Sequence, residues 1–444
     1  MSGQPAAPTP SVPTPWTTGR ELRQPAVRSA WMAMFLSAIA TIALTVAIGV
    51  LVYDITGNKL DLGWLGLIEF LPTAILVPIT GTLADRYDRR IIMASGLLVE
   101  ALVVTVFVFV VRGHPTSVVP IYLGVAVFGC ARAVIAPASR SLMPASAPDP
   151  AAMPKVIALT AVGWQVGAIL GPVVGAWAYD WKPEHAFELV ALLMLCAIGF
   201  ALSVPRSVGR AHVSNGRPAR PTLRTALEGL SVIRRQPVLL GAISLDLFAV
   251  LFGGAVALLP AIAKDVLHGG AAQVGIMRTA GGIGAALVTL LIAVRPVRRN
   301  IGRWLFGVVA LFGAGTVVLG YASSIIVACA AMFVLNAADS VSVFIRGTLV
   351  PLVTPPEQRG RVLAVEAVFI GGSNELGAFE SGVAARLLGT TAAVVSGGFA
   401  VIGIIGLFWF VFPALRDIDR FEDLLAEPSG PGEPGRLEAP AAIV

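Results

Sequence analysis

The sequence predicts an all-α membrane protein in which twelve transmembrane helices form two pseudo-symmetric six-helix bundles. Three observations lead to this prediction. Of the 444 residues, 56% are hydrophobic and only 13% are charged, about half the charged share of a soluble protein, and the mean hydropathy is +0.82. Apolar runs of roughly 20 residues, the length that crosses a bilayer, recur twelve times. The second six runs repeat features of the first six at a nearly constant spacing.

The runs divide the chain into an N-terminal bundle (29–204) and a C-terminal bundle (237–412). The predicted spans are 29–53, 62–83, 91–112, 117–143, 155–180 and 186–204, then 237–260, 273–294, 304–322, 324–350, 362–388 and 391–412. Residues 205–236 are polar and arginine-rich, without a run that could cross, and are predicted to be a linker. Residues 1–28 are predicted to be a disordered tail, and 413–444 a second tail.

The repeat relates residues of the two bundles by offsets of 206 to 209. The pairs that align are Arg132 with Asp339, Pro144 with Pro351, Gly171 with Gly377, and Glu69 with Arg278. Two parallel copies of a six-span unit imply a pseudo-two-fold axis along the membrane normal. The substrate site is then expected near the midplane between the copies.

Basic residues predict the orientation. If the N-terminus lies inside, the cytoplasmic segments hold 24 of the 32 Lys and Arg residues and the external loops hold five. This bias is the known orientation signal of membrane proteins, so both termini are expected in the cytoplasm. The formal charge of +6 does not indicate nucleic acid as a partner, because the basic residues lie in short loops between apolar runs.

Several function classes are excluded. The three cysteines each lie inside an apolar run, and the histidines form no ligand pair, so no metal site is expected. None of the four lysines follows a glycine, so there is no Walker A loop and no ATPase. Without a nucleophile–base pair or a cofactor loop, no enzymatic activity is expected. No cofactor is expected either, and a proton gradient is left as the energy source.

A charged turn, Gly81–Arg90 with the sequence GTLADRYDRR, lies between the second and third spans. It resembles the loop G-x-L-a-D-[RK]-x-G-[RK]-[RK] of the major facilitator superfamily, with Asp88 in place of the glycine. The DRYDRR form is typical of the drug-exporter branch that includes the bacterial enterobactin exporters. The stretches Ala257–Asp265 and Ala338–Gly377 resemble the same branch.

This resemblance implies a protein of the bacterial cytoplasmic membrane that functions as a monomer, with spans 1, 4, 7 and 10 lining a central cavity. It also implies a cytoplasmic latch in which Asp85 meets the start of span 11 near Arg361, where a helix N-terminus favours an anion. The residues assigned to the latch are Gly81, Asp85, Arg86, Asp88, Arg89, Arg90 and Arg361.

Glycines recur every four residues in the fifth span. Gly167, Gly171 and Gly175, with Pro172, resemble the G-x-x-x-G-P-x-x-G-G pattern of antiporters, although Ala176 replaces its last glycine. Glycines at this spacing let another helix approach closely, and proline bends the helix. The alternative interpretation is ordinary packing of small residues.

Ionisable residues inside spans are costly unless paired or hydrated, and so mark candidate functional sites. They are Glu69, Glu100, Arg132, Asp246, Arg278, Asp339, Arg346, Glu366, Glu375 and Glu380. Arg132 and Asp339 have opposite charges at equivalent positions. They are interpreted either as a tie between the halves or as part of a protonation switch with Arg346, seven residues from Asp339 on one helical face.

Three carboxyls are candidates for proton coupling: Asp246, Asp339 and Glu375. Asp246 has no obvious partner within its own span, and an unpaired carboxyl in a cavity readily takes a proton. Glu69 and Arg278 are candidates for an outer-gate ion pair, with solvated mouth residues as the alternative. Glu100, on a span that is peripheral in the family, is interpreted as a structural pairing.

The function predicted is export of a hydrophobic or amphipathic small molecule, a drug or a siderophore, by proton antiport. The alternative is a proton-coupled symporter that imports a small nutrient. The glycine and proline pattern of the fifth span favours the antiporter.

Overall fold

The computed structural model describes residues 21–149, 151–209 and 223–424, and within these ranges all long elements are α-helices. Twelve of them have membrane length. They are α1 Pro25–Thr56, α2 Lys59–Arg86, α3 Arg89–Arg112, α4 Val119–Ala145, α5 Met153–Trp181, α6 Pro183–Ser203, α7 Pro237–Phe252 with its continuation to Val266, α8 Ala271–Val294, α9 Ile301–Gly320, α10 Ile325–Val353, α11 Arg359–Leu388 and α12 Thr390–Val411. The predicted fold class is confirmed.

Eleven of these helices are apolar enough over the described residues to cross a membrane. The other one, α2, occupies the place of the predicted second span, and the side chains of residues 77–79 and 81–86 in it lie outside the described part of the chain. Large apolar side chains such as Leu195, Phe399 and Phe410 are exposed on the outer surface, as expected of helices that face lipid.

Helix contacts follow the predicted repeat. In the N-terminal bundle, α1 packs on α5 and α6, α2 on α4, and α3 on α4 and α6. Six helices later the same pairs recur, with α7 on α11 and α12, α8 on α10, and α9 on α10 and α12. The two bundles meet through α2 with α11 and through α5 with α8, and this pair of interfaces is itself symmetric under the same exchange. A central space is left between the bundles.

Glycine allows the closest of these helix approaches. A Cβ at Gly175 of α5 would lie 2.6 Å from the carbonyl oxygen of Ala43 on α1, which no side chain tolerates. In the C-terminal bundle, a Cβ at Gly377 of α11 would lie 2.6 Å from the carbonyl oxygen of Val250 on α7. The two bundles therefore use small residues for the same purpose at their α1–α5 and α7–α11 contacts.

The seventh span is not a continuous α-helix. Its regular α-helix ends before Gly253. The chain then continues as a 3-10 turn over Gly254–Leu258 and finishes in a π-helical segment, Ile262–Val266. A Cβ at Gly254 would clash with the backbone of Gly377, so the break lies where α11 approaches most closely. Irregular backbone at membrane depth is tolerated where it lines a cavity.

The ends of the bundles differ slightly from the predicted boundaries. The first helix begins at Pro25, before the predicted start at residue 29, because proline suits the first turn of a helix. The predicted linker contains a helix, Leu223–Arg235, that packs on α11. Residues 1–20 and 425–444 of the predicted tails and 210–222 of the linker lie outside the described residues.

Both described ends lie on one side of the molecule, since an even number of antiparallel helices separates them. We call this side the terminal face; of the described residues, it carries 87–88, 146–149, 151–152, 204–209, 223–236, 295–300 and 354–358. The other side, the opposite face, carries the connections 57–58, 113–118, 182, 267–270, 321–324 and 389.

Candidate functional site: a cavity between the two bundles

A cavity of about 470 Å³ lies between the bundles, in the part of the helices nearer the opposite face. Most of its wall is formed by apolar side chains of α1, α2, α4, α7, α8, α9, α10 and α11, including Phe128 of α4 and Phe312 of α9. Six of its side chains are charged or carry amides: Glu69, Arg278, Asn336, Asp339, Asn374 and Glu375. This volume falls within the range of small-molecule sites. The cavity thus combines an apolar wall with a few polar groups from both bundles.

Glu375 is the carboxyl that α11 contributes to the cavity wall. It packs against α2 at Gly66, where any Cβ would overlap the carboxylate, so this glycine makes room for it. Glu69, one turn further along α2, lies within electrostatic reach of Glu375. Sequence could not decide whether Glu366 or Glu375 faces the cavity, and the structure places Glu375 there.

In the C-terminal bundle, Asp246 of α7 and Arg346 of α10 form an ion pair, with 2.7 Å between Oδ1 and Nη2. The interpretation of Asp246 as an unpaired carboxyl is therefore wrong, because its partner lies on another helix. Arg346 also donates from Nε to Ser342 at 3.3 Å and lies within electrostatic reach of Asp339 and Glu366.

Asp339 links this ion pair to the cavity. Its side chain lines the central cavity and also a small adjoining pocket that contains Asp246 and Ser342. A group in the cavity can therefore reach Asp339 directly, while Asp246 and Arg346 are covered. The predicted grouping of Asp339 with Arg346 on one helical face agrees with this arrangement.

In the N-terminal bundle, Arg132 of α4 donates to the hydroxyl of Thr41 on α1 at 3.0 Å. It lies within electrostatic reach of Glu69 and of Glu100. Glu100 is fully buried, and neither of its carboxylate oxygens has a hydrogen-bond partner. Arg132 is thus near Glu100 without a hydrogen bond to it, and the structural role of Glu100 stays a prediction.

Glu69 and Arg278, the predicted outer-gate pair, both line the cavity. The ion pairs of the described residues do not include one between them, and the Nε atom of Arg278 is buried without a hydrogen-bond partner. Arg132 and Asp339, at equivalent positions of the repeat, each interact within their own bundle. These positions thus carry charge in both bundles without tying the bundles together in this conformation.

A polar network at the opposite face joins the two bundles. Lys264 lies in the π-helical end of α7 and forms an ion pair with Asp54 at the end of α1, with 2.6 Å between Nζ and Oδ1. Asp265 accepts a hydrogen bond from Tyr53 at 2.6 Å and pairs with Lys59 at 3.1 Å.

The network continues along α5, where Tyr179 donates to Asp54 at 3.1 Å and Asp180 accepts from the backbone of Ala272 at 3.0 Å. All of these contacts lie beyond the cavity wall, within one or two turns of it. They close the cavity at the opposite face.

Sequence reasoning missed this network. Its charged residues lie at the ends of different spans, and no pattern within one span connects Asp54 with Lys264. A usable signal was available in the repeat, since the segments 54–59 and 264–265 occupy nearly equivalent places in the two halves.

At the terminal face, Asp88 and Arg90 stabilise the N-terminal bundle. Asp88 accepts from the backbone N–H of Arg90 at the start of α3 and from the Arg90 side chain at 2.8 Å. The guanidinium also donates to the carbonyl of Val204, after the end of α6, at 2.6 Å. The hydrogen bond from the Arg90 side chain holds the pKa of Asp88 below its usual range.

The remaining latch residues are placed as follows. Arg361 at the start of α11 pairs with Glu228 of the linker helix, with 2.9 Å between Nη1 and Oε2. The side chains of Gly81, Asp85 and Arg86 lie outside the described residues, and the Nε atom of Arg89 is buried without a hydrogen-bond partner. The latch between Asp85 and Arg361 stays a prediction.

The glycine pattern of α5 faces α1. A Cβ at Gly167 would meet Ala38 at 3.0 Å, and one at Gly171 would meet Ile42 at 2.8 Å. The neighbouring carbonyl of Pro172 faces the other bundle, where a Cβ at Gly275 of α8 would lie 2.8 Å from it. This part of α5 is therefore in close contact both with its own bundle and with the other one.

Twelve membrane-length helices in two parallel repeats, with a partly polar cavity between them, define a membrane transporter of the repeat type. The chain belongs to the Major Facilitator Superfamily, whose family model matches residues 30–378. This is a family of transporters and not of enzymes. The narrower assignment to the drug-exporter branch and the enterobactin group stays a prediction.

Two curated proteins are similar to this chain. The uncharacterised MFS-type transporter YfiS of Bacillus subtilis (strain 168) is 24% identical over 390 residues, which cover 83% of this chain and 88% of that protein. Macrolide efflux protein A of Streptococcus pyogenes is 26% identical over 270 residues, which cover 59% of this chain and 64% of that protein.

A solved structure shows the same fold. A bacterial homologue of the human lysosomal transporter Spinster, in an inward-facing and unoccupied conformation, superposes with a TM-score of 0.68 at 16% sequence identity. The match covers 91% of this chain and 98% of that one. At this identity the likeness concerns the fold alone.

Proposed function

We propose that this transporter exports hydrophobic or amphipathic small molecules across the bacterial cytoplasmic membrane by proton antiport. The observation that carries the proposal is the cavity between the bundles, which has an apolar wall, carboxyls from both bundles, and a polar network that closes it at one face. Apolar walls provide most of the affinity for such molecules, and the few polar groups provide orientation.

The charges of the cavity favour substrates that carry a positive charge. Glu69, Asp339 and Glu375 line it against a single arginine, Arg278. The fully ionised wall is therefore negative on balance. A protonated amine or another lipophilic cation would be attracted to it, and protons would compete for the same carboxyls.

The orientation of the chain in the membrane and one similar protein support export as the direction of transport. The excess of Lys and Arg at the terminal face favours placing that face in the cytoplasm. The opposite face, where the polar network joins the bundles, is then external. The similarity to a macrolide efflux protein supports export as the direction.

In the proposed cycle, carboxyls of the cavity and of the C-terminal bundle take up protons after the substrate has left. Substrate enters from the cytoplasmic side while the opposite-face network is closed. The bundles then rock, the network separates, and substrate leaves outside. Protons from the outside then bind Asp339 or Glu375, and they reach Asp246 through Asp339. Neutralisation of these carboxyls favours return to the state in which the opposite-face network is closed. In that state the protons leave to the cytoplasm. Substrate movement outward is thereby coupled to proton movement inward.

The test is transport in inside-out membrane vesicles with an imposed pH gradient, acid inside. A radiolabelled macrolide and a lipophilic cationic dye serve as probes. We expect accumulation that an uncoupler abolishes, and at least a tenfold slower rate for Asp339→Asn and for Glu375→Gln. Glu380→Gln, a carboxyl of α11 outside the cavity wall, is the matched control and should transport at the wild-type rate.

Two results would contradict the proposal. Accumulation that is unaffected by the uncoupler would refute proton coupling. Uptake of a small nutrient with protons into right-side-out vesicles, with no export of either probe, would establish the symporter instead.

A further inference from the structure

Glu100 is a buried carboxyl that has no hydrogen-bond partner and no role in the proposed cycle. Glu100 of α3 is 0% exposed, and neither oxygen accepts a hydrogen bond. A buried carboxylate without donors or a dedicated cation is strongly unfavourable, because it loses its hydration without replacement. Such a group is stable in this place only if a proton or a nearby positive charge neutralises it.

The charged groups around Glu100 come from two of the three membrane-length helices that contact α3. Glu69 approaches from α2 and Arg132 from α4. The glutamates described on α6 lie near its start at the opposite face, where Glu188 pairs with Arg112 of α3. On α3 itself, Arg90 is joined to Asp88 at the terminal face. Among the described residues, one guanidinium therefore faces two carboxyls.

The ratio of one guanidinium to two carboxyls determines the net charge of this cluster. With both carboxyls ionised, the cluster of Glu69, Glu100 and Arg132 has a net charge of minus one in a medium of low dielectric constant. A single additional proton makes it neutral. The Arg132 side chain donates a hydrogen bond to the hydroxyl of Thr41 on α1 at 3.0 Å, and it lies within electrostatic reach of both carboxyls.

The two carboxyls differ in their access to the cavity. Glu69 is part of the cavity wall, whereas Glu100 is fully buried and does not line the cavity. A proton from the cavity therefore meets Glu69 first.

We propose that Glu69, Arg132 and Glu100 form a proton-binding site of the N-terminal bundle, separate from the carboxyls of the C-terminal bundle. In one state the proton is on Glu100 and Arg132 neutralises Glu69. In the other state the proton is on Glu69 and Arg132 neutralises Glu100. The O–H bond at one carboxyl breaks as the other forms, the guanidinium moves the opposite way, and the net charge is unchanged. The role of this exchange in transport rests on the proposed function; the proton site itself does not.

The site is tested first without transport, by infrared difference spectroscopy of the purified protein in nanodiscs during a pH titration. We expect a carbonyl band of a protonated carboxyl that changes with pH in the wild type and is missing in Glu100→Gln. The same band should shift in Glu100→Asp, which retains the carboxyl if the glutamine variant does not fold. Glu380→Gln should leave the band unchanged. A band that persists in Glu100→Gln, or one that does not change with pH, overturns the proposal.

A second measurement connects the site with coupling. In inside-out vesicles, the accumulation ratio of the cationic dye is measured as a function of the imposed pH difference, which gives the number of protons exchanged per dye. We expect this number to fall by one in Glu100→Gln. An unchanged number in an active variant removes the site from coupling. If no accumulation follows the pH difference in the wild type while the infrared band titrates, the proposed function fails and the proton site stands.

Discussion

Asp246 on α7 and Arg346 on α10 form an ion pair within the C-terminal bundle, and their side chains are only 8% and 6% exposed. Removing one member of a buried pair leaves the other without compensation, at a cost of about 3–5 kcal/mol. The two members are not equivalent here. Asp339 and Glu366 also lie within electrostatic reach of Arg346, which is therefore the one cation shared by three carboxyls.

The first prediction concerns the different numbers of charged neighbours that Arg346 and Asp246 have. Arg346→Gln should lower the free energy of unfolding by about 3–5 kcal/mol, and Asp246→Asn by less, because Arg346 then retains two acidic neighbours. Thermal unfolding in detergent measures both. The deficit of Arg346→Gln should shrink as the pH is lowered, since protonation neutralises the three carboxyls. Equal losses in the two variants at neutral pH would contradict the shared-cation arrangement.

The second prediction concerns the opposite-face network. Asp54→Lys should place two cations together at the contact with Lys264 and shift the protein toward conformations open at that face. Distances between spin labels on the two bundles measure this shift. The exchanged double variant, Asp54→Lys with Lys264→Asp, should restore the wild-type distribution in large part. Glu188→Gln is the matched control, because the Arg112–Glu188 pair lies at the same face but within one bundle. An unchanged distribution in Asp54→Lys would show that the network does not hold the bundles together.

The third prediction concerns the close approach of helices. Gly175→Ala should destabilise the N-terminal bundle by about 1–3 kcal/mol, because its Cβ would lie 2.6 Å from the carbonyl oxygen of Ala43 and α1 would have to move. Gly199→Ala on α6 is the control, since nothing lies within 4 Å of its Cβ and alanine is the better helix former. Similar unfolding temperatures for the two variants would show that the α1–α5 contact is not tight.

The fourth prediction concerns Asp88. Asp88→Ala should lower the free energy of unfolding by about 1 kcal/mol, because α3 loses its N-cap and Arg90 loses its orienting carboxylate. The pKa of Asp88 is lowered in the folded protein, so its contribution is complete above the ordinary aspartate pKa of about 4 and is lost as the pH falls through the lowered value. Unfolding of wild type and variant compared across acidic pH measures this. A difference that grows toward low pH would contradict the sign.

Sequence alone predicted the number of helices, the two bundles and the family. Bilayer thickness fixes the length of an apolar run, and a duplicated unit is visible as a constant offset such as that between Arg132 and Asp339. Sequence also identified the ionisable residues inside spans, because each is too costly to occur there without a role or a partner. Four of these residues, Glu69, Arg278, Asp339 and Glu375, line the cavity in the structure.

Only the tertiary structure decided which of these groups meet. In the structure Asp246 pairs with Arg346, and Asp54 pairs with Lys264. Glu100 has no hydrogen-bond donor, and Glu69 and Arg278 line the cavity. The physical reason is that membrane helices are apolar on the side facing lipid as well as on the side facing the bundle, so their sequence does not reveal their rotation. Partners that lie more than 90 residues apart in the chain can be assigned only when packing fixes those rotations.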